Sequence, residues 1–262
     1  MTDRPDLSIV IPAYNEEKRL ARTLARIEDY FSAKKLAAYT FEILVVDDGS
    51  TDATAAVAKE WSKRIPLRVV SNGENRGKGY SVRAGMLEAR GRIGLFTDAD
   101  LSSPIQECAK LVSAIAAGND VAIGSRAVDR SLIEQHQSPF REIAGMIFNA
   151  FVRLFTLLPF SDTQCGFKAF VLEPSRVVFE QQRIEGFGFD PEILFIAKRH
   201  GLRMTEVPVR WAHDPATKVH VIRDSFLMFF DLLYIRWNWL LGRYPIAGPV
   251  KSTTESSRPA SP

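Results

Sequence analysis

Short apolar runs alternate with amphipathic stretches along the first half of the chain. LSIVIP, Leu7 to Pro12, is β-rich, and Leu20, Leu24, Ile27 and Phe31 then recur at helical spacing, so a strand precedes a helix. FEILVVDD, Phe41 to Asp48, predicts a second strand, and the GSTD that follows offers a turn and N-cap for a helix through Trp61. LRVVSN (Leu67 to Asn72) leads through a glycine-rich turn to a helix near Ser81 to Arg90. RIGLFTD (Arg92 to Asp98) precedes a helix from Pro104, and DVAIGSR (Asp120 to Arg126) reads as a fifth strand. Such alternation implies parallel strands joined by crossover helices, with both sheet faces covered. The first half is therefore an open α/β sheet, in which ligands sit at the carboxyl ends of the strands beside a switch in strand order.

The second half is less regular. The pattern predicts a helix from Glu142 to Leu158, another from Asp190 to His200, a strand over LRMTEVPVRW (Leu202 to Trp211) and an amphipathic segment from Asp224. The final AGPVKSTTESSRPASP is small, polar and proline-rich and reads as a disordered tail. These changes divide the chain into an α/β domain over 1–223, an amphipathic helical region over 224–246 and a tail over 247–262.

Composition narrows the class. With 262 residues, 46% apolar and 25% charged, the chain is an ordinary globular protein large enough for one sizeable domain. A net charge of +3 is too small to imply nucleic acid, which is not an expected partner, but it is compatible with an anionic ligand or membrane surface. Cys108 and Cys165 lack metal-ligand spacing and the N-terminus carries no secretory signal, so a reducing, cytoplasmic compartment is expected. Ile143 to Phe160 and Ser225 to Leu241 are strongly apolar, yet Arg153 interrupts the first and Asp231 and Arg236 the second.

Each predicted strand ends in polar residues at one sheet edge: Tyr14-Asn15-Glu16, Asp47-Asp48, Asn72 to Asn75, Asp98 with Asp100, and Ser125-Arg126. Two aspartates one residue apart in a strand share a face and can converge on a cation. Their hard oxygens favour Mg²⁺ or Mn²⁺, typically shared with substrate phosphates, although an Asp-x-Asp is also an ordinary strand stop. Tyr14 offers a ring to a base, Gly77 and Gly79 let the backbone approach a ligand, and Lys78 adds positive charge. Core packing of Tyr14 and a solvated NRGKG turn remain the plainer alternatives.

Taken together, PAYNEE, VVDDGSTD, NRGKG and the Asp-x-Asp resemble the family-two glycosyltransferases, over roughly Leu7 to Trp211. The resemblance implies the GT-A nucleotide-sugar fold, a mostly parallel central sheet flanked by helices, here with a C-terminal amphipathic helical segment. It implies a nucleotide-sugar site at Pro12, Ala13, Tyr14, Glu16, Asp47, Asp48, Lys78, Gly79, Asp98 and Ala99, with metal at Asp98 and Asp100. GSR (Gly124 to Arg126), SPFRE, DTQCGFKAF, GFGFDPEIL and EVPVRW…TKV follow in the order of the polyprenyl-phosphate glycosyltransferases. They are most similar to the dolichyl-phosphate β-glucosyltransferases, with the mannose synthases next.

That resemblance implies metal-dependent, inverting transfer of a hexose, with UDP-glucose as the expected donor, onto a polyprenyl phosphate. Asp100, Arg126, Arg141 and Asp190 are the expected catalytic residues, and Arg126, Arg141 and Lys218 the expected acceptor-phosphate site. GDP-mannose is the alternative donor, and a non-catalytic nucleotide-binding or membrane-interaction module the alternative class. Asp190, just before Pro191, reads equally well as an N-cap, and Lys168, like Lys218, offers a phosphate ligand or a merely solvated surface lysine. His213 and His220 lack a metal-ligand partner, and Cys165 reads as packing. In the mannose-synthase relatives a glutamine follows the aspartates and reaches the cation; Ser102 stands there instead.

A polyprenyl acceptor lies in the bilayer. The eukaryotic glucosyl relatives carry an N-terminal anchor helix, whereas this sequence begins almost at its first strand, so contact is expected through MIFNAFVRLFTLLPF and SFLMFFDLLYIRWNWLLGRY lying in the interface. Peripheral binding to the cytoplasmic leaflet is the expectation, with sheet cover or self-association into a homo-oligomer as alternatives.

Overall fold

Both faces of the early strands are apolar, and both are buried. In β1 (Leu7–Ala13), Leu7, Ile9 and Ile11 point into one core and Val10 into the other; in β2 (Phe41–Asp47), Ile43 and Val45 oppose Leu44 and Val46. Such strands need cover on two sides. The helices α1 (Glu17–Ser32), α2 (Thr54–Trp61), α3 (Lys78–Glu88) and α4 (Cys108–Ala116) are the crossovers that supply it between β1, β2, β3 (Leu67–Ser71), β4 (Ile93–Phe96) and β5 (Val121–Ser125). All five strands fall within two residues of the limits read from the sequence pattern. The structure, a computed structural model, describes residues 4–32, 39–135, 139–212 and 221–246, with the side chains of 139–142 and 221–225 outside that description. Lys218, His213, His220 and the predicted tail lie outside the described residues.

The second half adds β6 (Ile133–Gln135), α5 (Pro139–Thr156), β7 (Lys168–Val171), α6 (Leu172–Gln181), α7 (Phe189–Arg199), β8 (Met204–Pro208), β9 (Trp211–Ala212) and α8 (Val221–Leu240). The main sheet has the order β3-β2-β1-β4-β7-β5-β8, parallel except for β7, which runs antiparallel to both β4 and β5. From β1 the chain builds outward through β2 and β3, then returns to place β4 on the other side of β1. The crevice required by this reversal opens at the carboxyl ends of β1 and β4.

β7 has no predicted counterpart, and three further features differ from the sequence pattern. The strand expected over Leu202 to Trp211 is two pieces in two sheets: β8 pairs with β5 and ends at Pro208, and β9 pairs with β6. Proline has no N–H to continue the ladder. Helix α5 begins earlier than expected, with Pro139 at its first position, where a proline is tolerated. Helix α6 has no counterpart among the predicted elements, because Pro174 in its first turn obscures the helical spacing.

Helix α3 lies close on the sheet at Gly85. A Cβ there would stand 2.3 Å from Val10 Cγ1 and 2.8 Å from Val46 Cγ2, so only glycine lets the helix pack down on β1 and β2. Helix α8 buries Leu232 and Ile235 fully, and Phe229 meets Phe151 and Phe155 of α5 edge to face at 5.3 and 5.9 Å. Its other face leaves Phe226, Leu227, Phe230, Trp237 and Leu240 exposed, and α5 leaves Ile143, Met146, Ile147 and Leu154 exposed beside it. Among the described residues no helix is long and apolar enough to cross a membrane.

Replacing Gly85 with valine should lower stability by about 1–3 kcal/mol through overpacking. Urea unfolding of the variant checks this; an unchanged midpoint would show that the helix can move off the sheet at no cost.

Candidate active site

The site forms where the strand termini meet at the β1–β4 crevice. Strand β4 stops at Phe96, so Asp98 and Asp100 lie in the turn after it rather than within the strand, as the period-two argument assumed. Leu101 N donates to the Asp98 carbonyl at 3.1 Å, and Leu101 closes the turn with φ of 49°. Ser102 N donates to Asp100 Oδ1 at 2.8 Å. Burial first, and then the neighbouring Asp98, raise the Asp100 carboxyl above its ordinary value. Two carboxylates held this close favour a cation between them.

Lys78 supplies positive charge in this structure. As the first residue of α3 it brings Nζ to 2.5 Å from Asp98 Oδ1. Burial works against its charge, but Asp98, Asp190 and Asp100 together hold its pKa above the ordinary lysine value. Within NRGKG, Asn75 and Arg76 are exposed, whereas Lys78 and Gly79 turn inward. The shape of the turn comes from Asp48, which accepts from Asn72 Nδ2 at 2.7 Å, Arg76 N at 3.1 Å and Gly77 N at 2.8 Å, while Gly77 takes φ of 103°. Such a φ strains any residue bearing a Cβ.

The β1 end carries the remaining nucleotide-side candidates. Pro12 and Ala13 lie at the end of β1, followed by Tyr14, a residue 38% exposed and not part of the core. Glu16 is held by Arg19 through two bonds, of 2.7 and 3.0 Å. Asp47 accepts from Ser50 N at 3.1 Å, tightening the turn after β2. Ala99 lies buried between the two aspartates, and Gly79 packs so closely that a Cβ would stand 2.6 Å from the Ile184 carbonyl oxygen.

The expected acceptor residues do not all assemble as open phosphate ligands. Arg126 N, Nε and Nη2 donate to the Asp162 carboxylate at 3.0, 2.6 and 2.8 Å, so the guanidinium fork is already engaged. Its carbon lies 5.3 Å from the centre of the Trp211 ring. Although burial opposes it, the Arg126 charge brings the Asp162 carboxyl down to about 2. Arg141 lies in α5 with its side chain outside the described residues. Asp190 is neither exposed nor the N-cap of α7, which is Gly188; it sits in the first turn, paired with Lys168.

Lys168 is a correction in itself. It is fully buried, lies 5.4 Å from the centre of the Phe96 ring and donates to the Cys165 carbonyl at 2.6 Å. Stranding one partner of such a pair typically costs about 3–5 kcal/mol. The sequence pattern assigns Asp162 and Gly166 no site role, and reads Lys168 as a phosphate ligand or a solvated lysine rather than as a buried partner of Asp190. A lysine inside the apolar run FKAFV was the available signal, since a charge there needs a buried partner.

Gly166 shows that the fold makes room for Asp98. A Cβ on it would stand 2.3 Å from Asp98 Oδ2 and 2.9 Å from Oδ1, so the carboxylate occupies the space a side chain would fill. Among the described residues no group of three or more His, Cys, Asp or Glu side chains could hold a metal ion. Asp98 and Asp100 fit a hard divalent cation as two protein ligands, the rest of its shell falling to phosphate or water. Both cysteines are buried, free thiols, with burial pushing Cys108 up to about 12 and Cys165 to about 11. Neither is poised as a nucleophile.

A nucleotide-sugar transferase fold of the GT-A class, with its Asp-x-Asp at the switch crevice, defines a glycosyltransferase. Residues 8–174 match the family Glycosyl transferase family 2, and the chain belongs to that family. The Drosophila melanogaster dolichyl-phosphate beta-glucosyltransferase is 38% identical over 253 residues, covering 92% of this chain and 78% of that protein. The proteins of the same name from Saccharomyces cerevisiae and Homo sapiens are 37% and 34% identical, each over 91% of this chain, and over 76% and 77% of their own lengths. Among solved structures, glucosyl-3-phosphoglycerate synthase from Mycobacterium tuberculosis, in complex with Mn²⁺, UDP and glucosyl-3-phosphoglycerate, aligns with TM-score 0.64 at 21% identity, covering 94% of this chain and 82% of that one. Mannosyl-3-phosphoglycerate synthase from Rubrobacter xylanophilus aligns with TM-score 0.65 at 20% identity, covering 97% and 79%. At these identities the likeness to the two synthases concerns the fold.

Two outcomes test this site. Asp162→Asn should leave stability at pH 2 nearly unchanged while lowering it at pH 6 by about 2 kcal/mol. The sign follows from the depressed carboxyl: its stabilisation is present above the unfolded value near 4 and is lost as pH falls toward about 2. Thermal melts across pH 2–6 check it. Gly166→Ala should weaken UDP binding in the presence of Mn²⁺ by about tenfold or more, with little change in Tm, since only the Asp98 carboxylate must move. Calorimetric titration reads the affinity, and unchanged binding would count against Asp98 as a cation ligand.

Proposed function

We propose that the protein transfers glucose from UDP-glucose to a dolichyl-type polyprenyl phosphate, with inversion and with Mg²⁺ or Mn²⁺. The observation that carries the reading is the Asp98–Lys78 pair beside Asp100, two carboxylates and a positive charge at the strand edge where the GT-A fold binds donors. The relatives, dolichyl-phosphate beta-glucosyltransferases, support acceptor and sugar, and the Mn²⁺ and UDP-glucose bound to the M. tuberculosis synthase support donor and metal class.

The nucleoside lies along the β1 and β2 termini, with the base against Tyr14 and with Glu16, Asp47 and Asp48 shaping the walls. Asp98 and Asp100 hold the divalent cation, which when bound neutralises charge on the departing nucleoside diphosphate. Lys78, displaced from Asp98, turns to the diphosphate. Asp190, fixed by Lys168, orients a hydroxyl of the sugar. The acceptor phosphate is anionic near neutral pH, so its oxygen attacks C1 without a strong general base; what it needs is positioning against repulsion from the donor. Arg126, held in one orientation by Asp162, together with Arg141 and Lys218, provides that positive edge. Displacement from the opposite face of an α-linked donor gives a β-linked sugar phosphate.

The apolar faces of α5 and α8 seat the protein peripherally on the cytoplasmic leaflet, where the lipid phosphate lies. Their exposed Phe, Leu and Trp side chains suit the interface rather than its hydrocarbon core.

Transfer of radiolabelled glucose from UDP-glucose to a short polyprenyl phosphate, with Mn²⁺ and an EDTA control, tests the reading. Label should enter the lipid phase only with metal, and Asp100→Ala should cut it by about 100-fold. Label arriving only from GDP-mannose would replace the donor, and none from any nucleotide sugar would overturn the assignment.

A further inference from the structure

Helix α3 carries Lys78 into the donor site on a turn that its own sequence does not cap. The N-cap, Gly77, has no side chain to accept from the first N–H groups, which need acceptors from elsewhere. One comes from a distant loop: Tyr80 N donates to the Glu185 carbonyl at 3.1 Å. The same loop, residues 182–188, lies against both neighbours of Lys78. Gln182 Nε2 donates to the Gly79 carbonyl at 2.8 Å. Cβ atoms on Gly77 and Gly79 would stand 2.5 Å from the Glu185 and 2.6 Å from the Ile184 carbonyl oxygen. Arg76 pairs with the Glu185 side chain, and its guanidinium carbon lies 3.7 Å from the centre of the Tyr80 ring. The backbone at Lys78 is therefore set by where residues 184–186 lie.

The loop in turn hangs on one buried carboxylate. Glu192 of α7 is fully buried and accepts from Arg183 N at 3.0 Å and Ile184 N at 2.8 Å. It also accepts from Tyr244 Oη at 2.6 Å. Tyr244 is itself buried beyond the end of α8, its ring centre 6.2 Å from that of Phe195 in α7. Beside it, Gln181 Nε2 donates to the Pro245 carbonyl at 2.7 Å and Arg183 Nη2 to the Arg243 carbonyl at 3.4 Å. The segment 243–245 thus closes over the back of the loop. A carboxylate is costly to bury, and an apolar side chain would cover α7 at less cost. What the carboxylate adds is a fixed orientation for two loop N–H groups, and with them the carbonyls that hold α3.

We propose that Glu192 and Tyr244 are positioning residues of the donor site. Acting through the 182–188 loop, they set the first turn of α3 and so hold Lys78 where it meets Asp98 and, with donor bound, the diphosphate. The inference rests on the reading of Lys78 as a ligand of that diphosphate. It makes the segment after α8 part of the scaffold of the donor site.

A double-mutant cycle on the full-length chain tests it. Tyr244→Phe removes the hydroxyl and keeps the ring, and UDP affinity in the presence of Mn²⁺ is read by calorimetric titration. The substitution should weaken UDP binding by about fivefold when Lys78 is present, and by less than about twofold in the Lys78→Ala background. Equal losses in both backgrounds would leave Tyr244 a structural role alone, and no loss in either would leave it none; each overturns the proposal. Hydrogen exchange on the ligand-free proteins gives a second reading that needs no nucleotide. Tyr244→Phe should speed exchange of the Ile184 and Tyr80 amides by about fivefold or more and leave the amides of β1 and β2 unchanged. A Tyr80 amide that does not respond would also overturn the proposal. A protein that binds no UDP yet shows the exchange response would keep the hold of Glu192 and Tyr244 on α3 and lose the donor reading.

Discussion

Four carboxylates and three cations meet at the carboxyl edge of the sheet, and their imbalance organises the rest of the site. Asp98, Asp100, Asp162 and Asp190 face Lys78, Lys168 and Arg126, an excess of one negative charge in a largely buried cluster. The members sense one another across strand boundaries: Asp190 interacts with both lysines and with Asp98, and Lys168 with Asp162 as well. Each cation is paired with one carboxylate, and Asp100 is the member left without a cation of its own. A divalent cation would reverse the sign of the cluster and favour anionic ligands beside it.

The fold exists to bring those charges together from distant parts of the chain. Crossover helices force β1 and β4 side by side, which opens the crevice, and antiparallel β7 inserts between β4 and β5 with Phe96 opposite Lys168. That insertion carries Gly166 against Asp98 and Lys168 against Asp190. The loop at 182–188 then lies between the start of α3 and a groove lined by the outward face of α8.

Much of this was legible beforehand because the first half obeys simple periods. Alternating apolar strands and amphipathic helices predict the parallel sheet, and polar residues at each strand end mark the edge where Tyr14, Asp48, Lys78 and Asp98 are found. What stayed hidden depends on contacts across long stretches of sequence. Nothing in the local pattern around Arg126 says that Asp162 will occupy its fork, and nothing near Asp190 says that a buried lysine will pair with it. β7 was obscured because its antiparallel insertion breaks the βαβ rhythm, and α6 because a proline sits in its first turn. The Asp-x-Asp was found for an imperfect reason: its carboxylates converge through a tight turn closed by Leu101, not through strand geometry.

The central claim is that Lys78 occupies, with its own charge, part of the seat of a divalent cation between Asp98 and Asp100. A crystal structure of the complex with Mn²⁺ and UDP, with the metal located by its anomalous signal, tests it most directly. The account predicts manganese bound by Asp98 and Asp100, with Lys78 Nζ moved from Asp98 to the diphosphate. Manganese bound elsewhere, with the Lys78–Asp98 pair intact beside bound UDP, would contradict it.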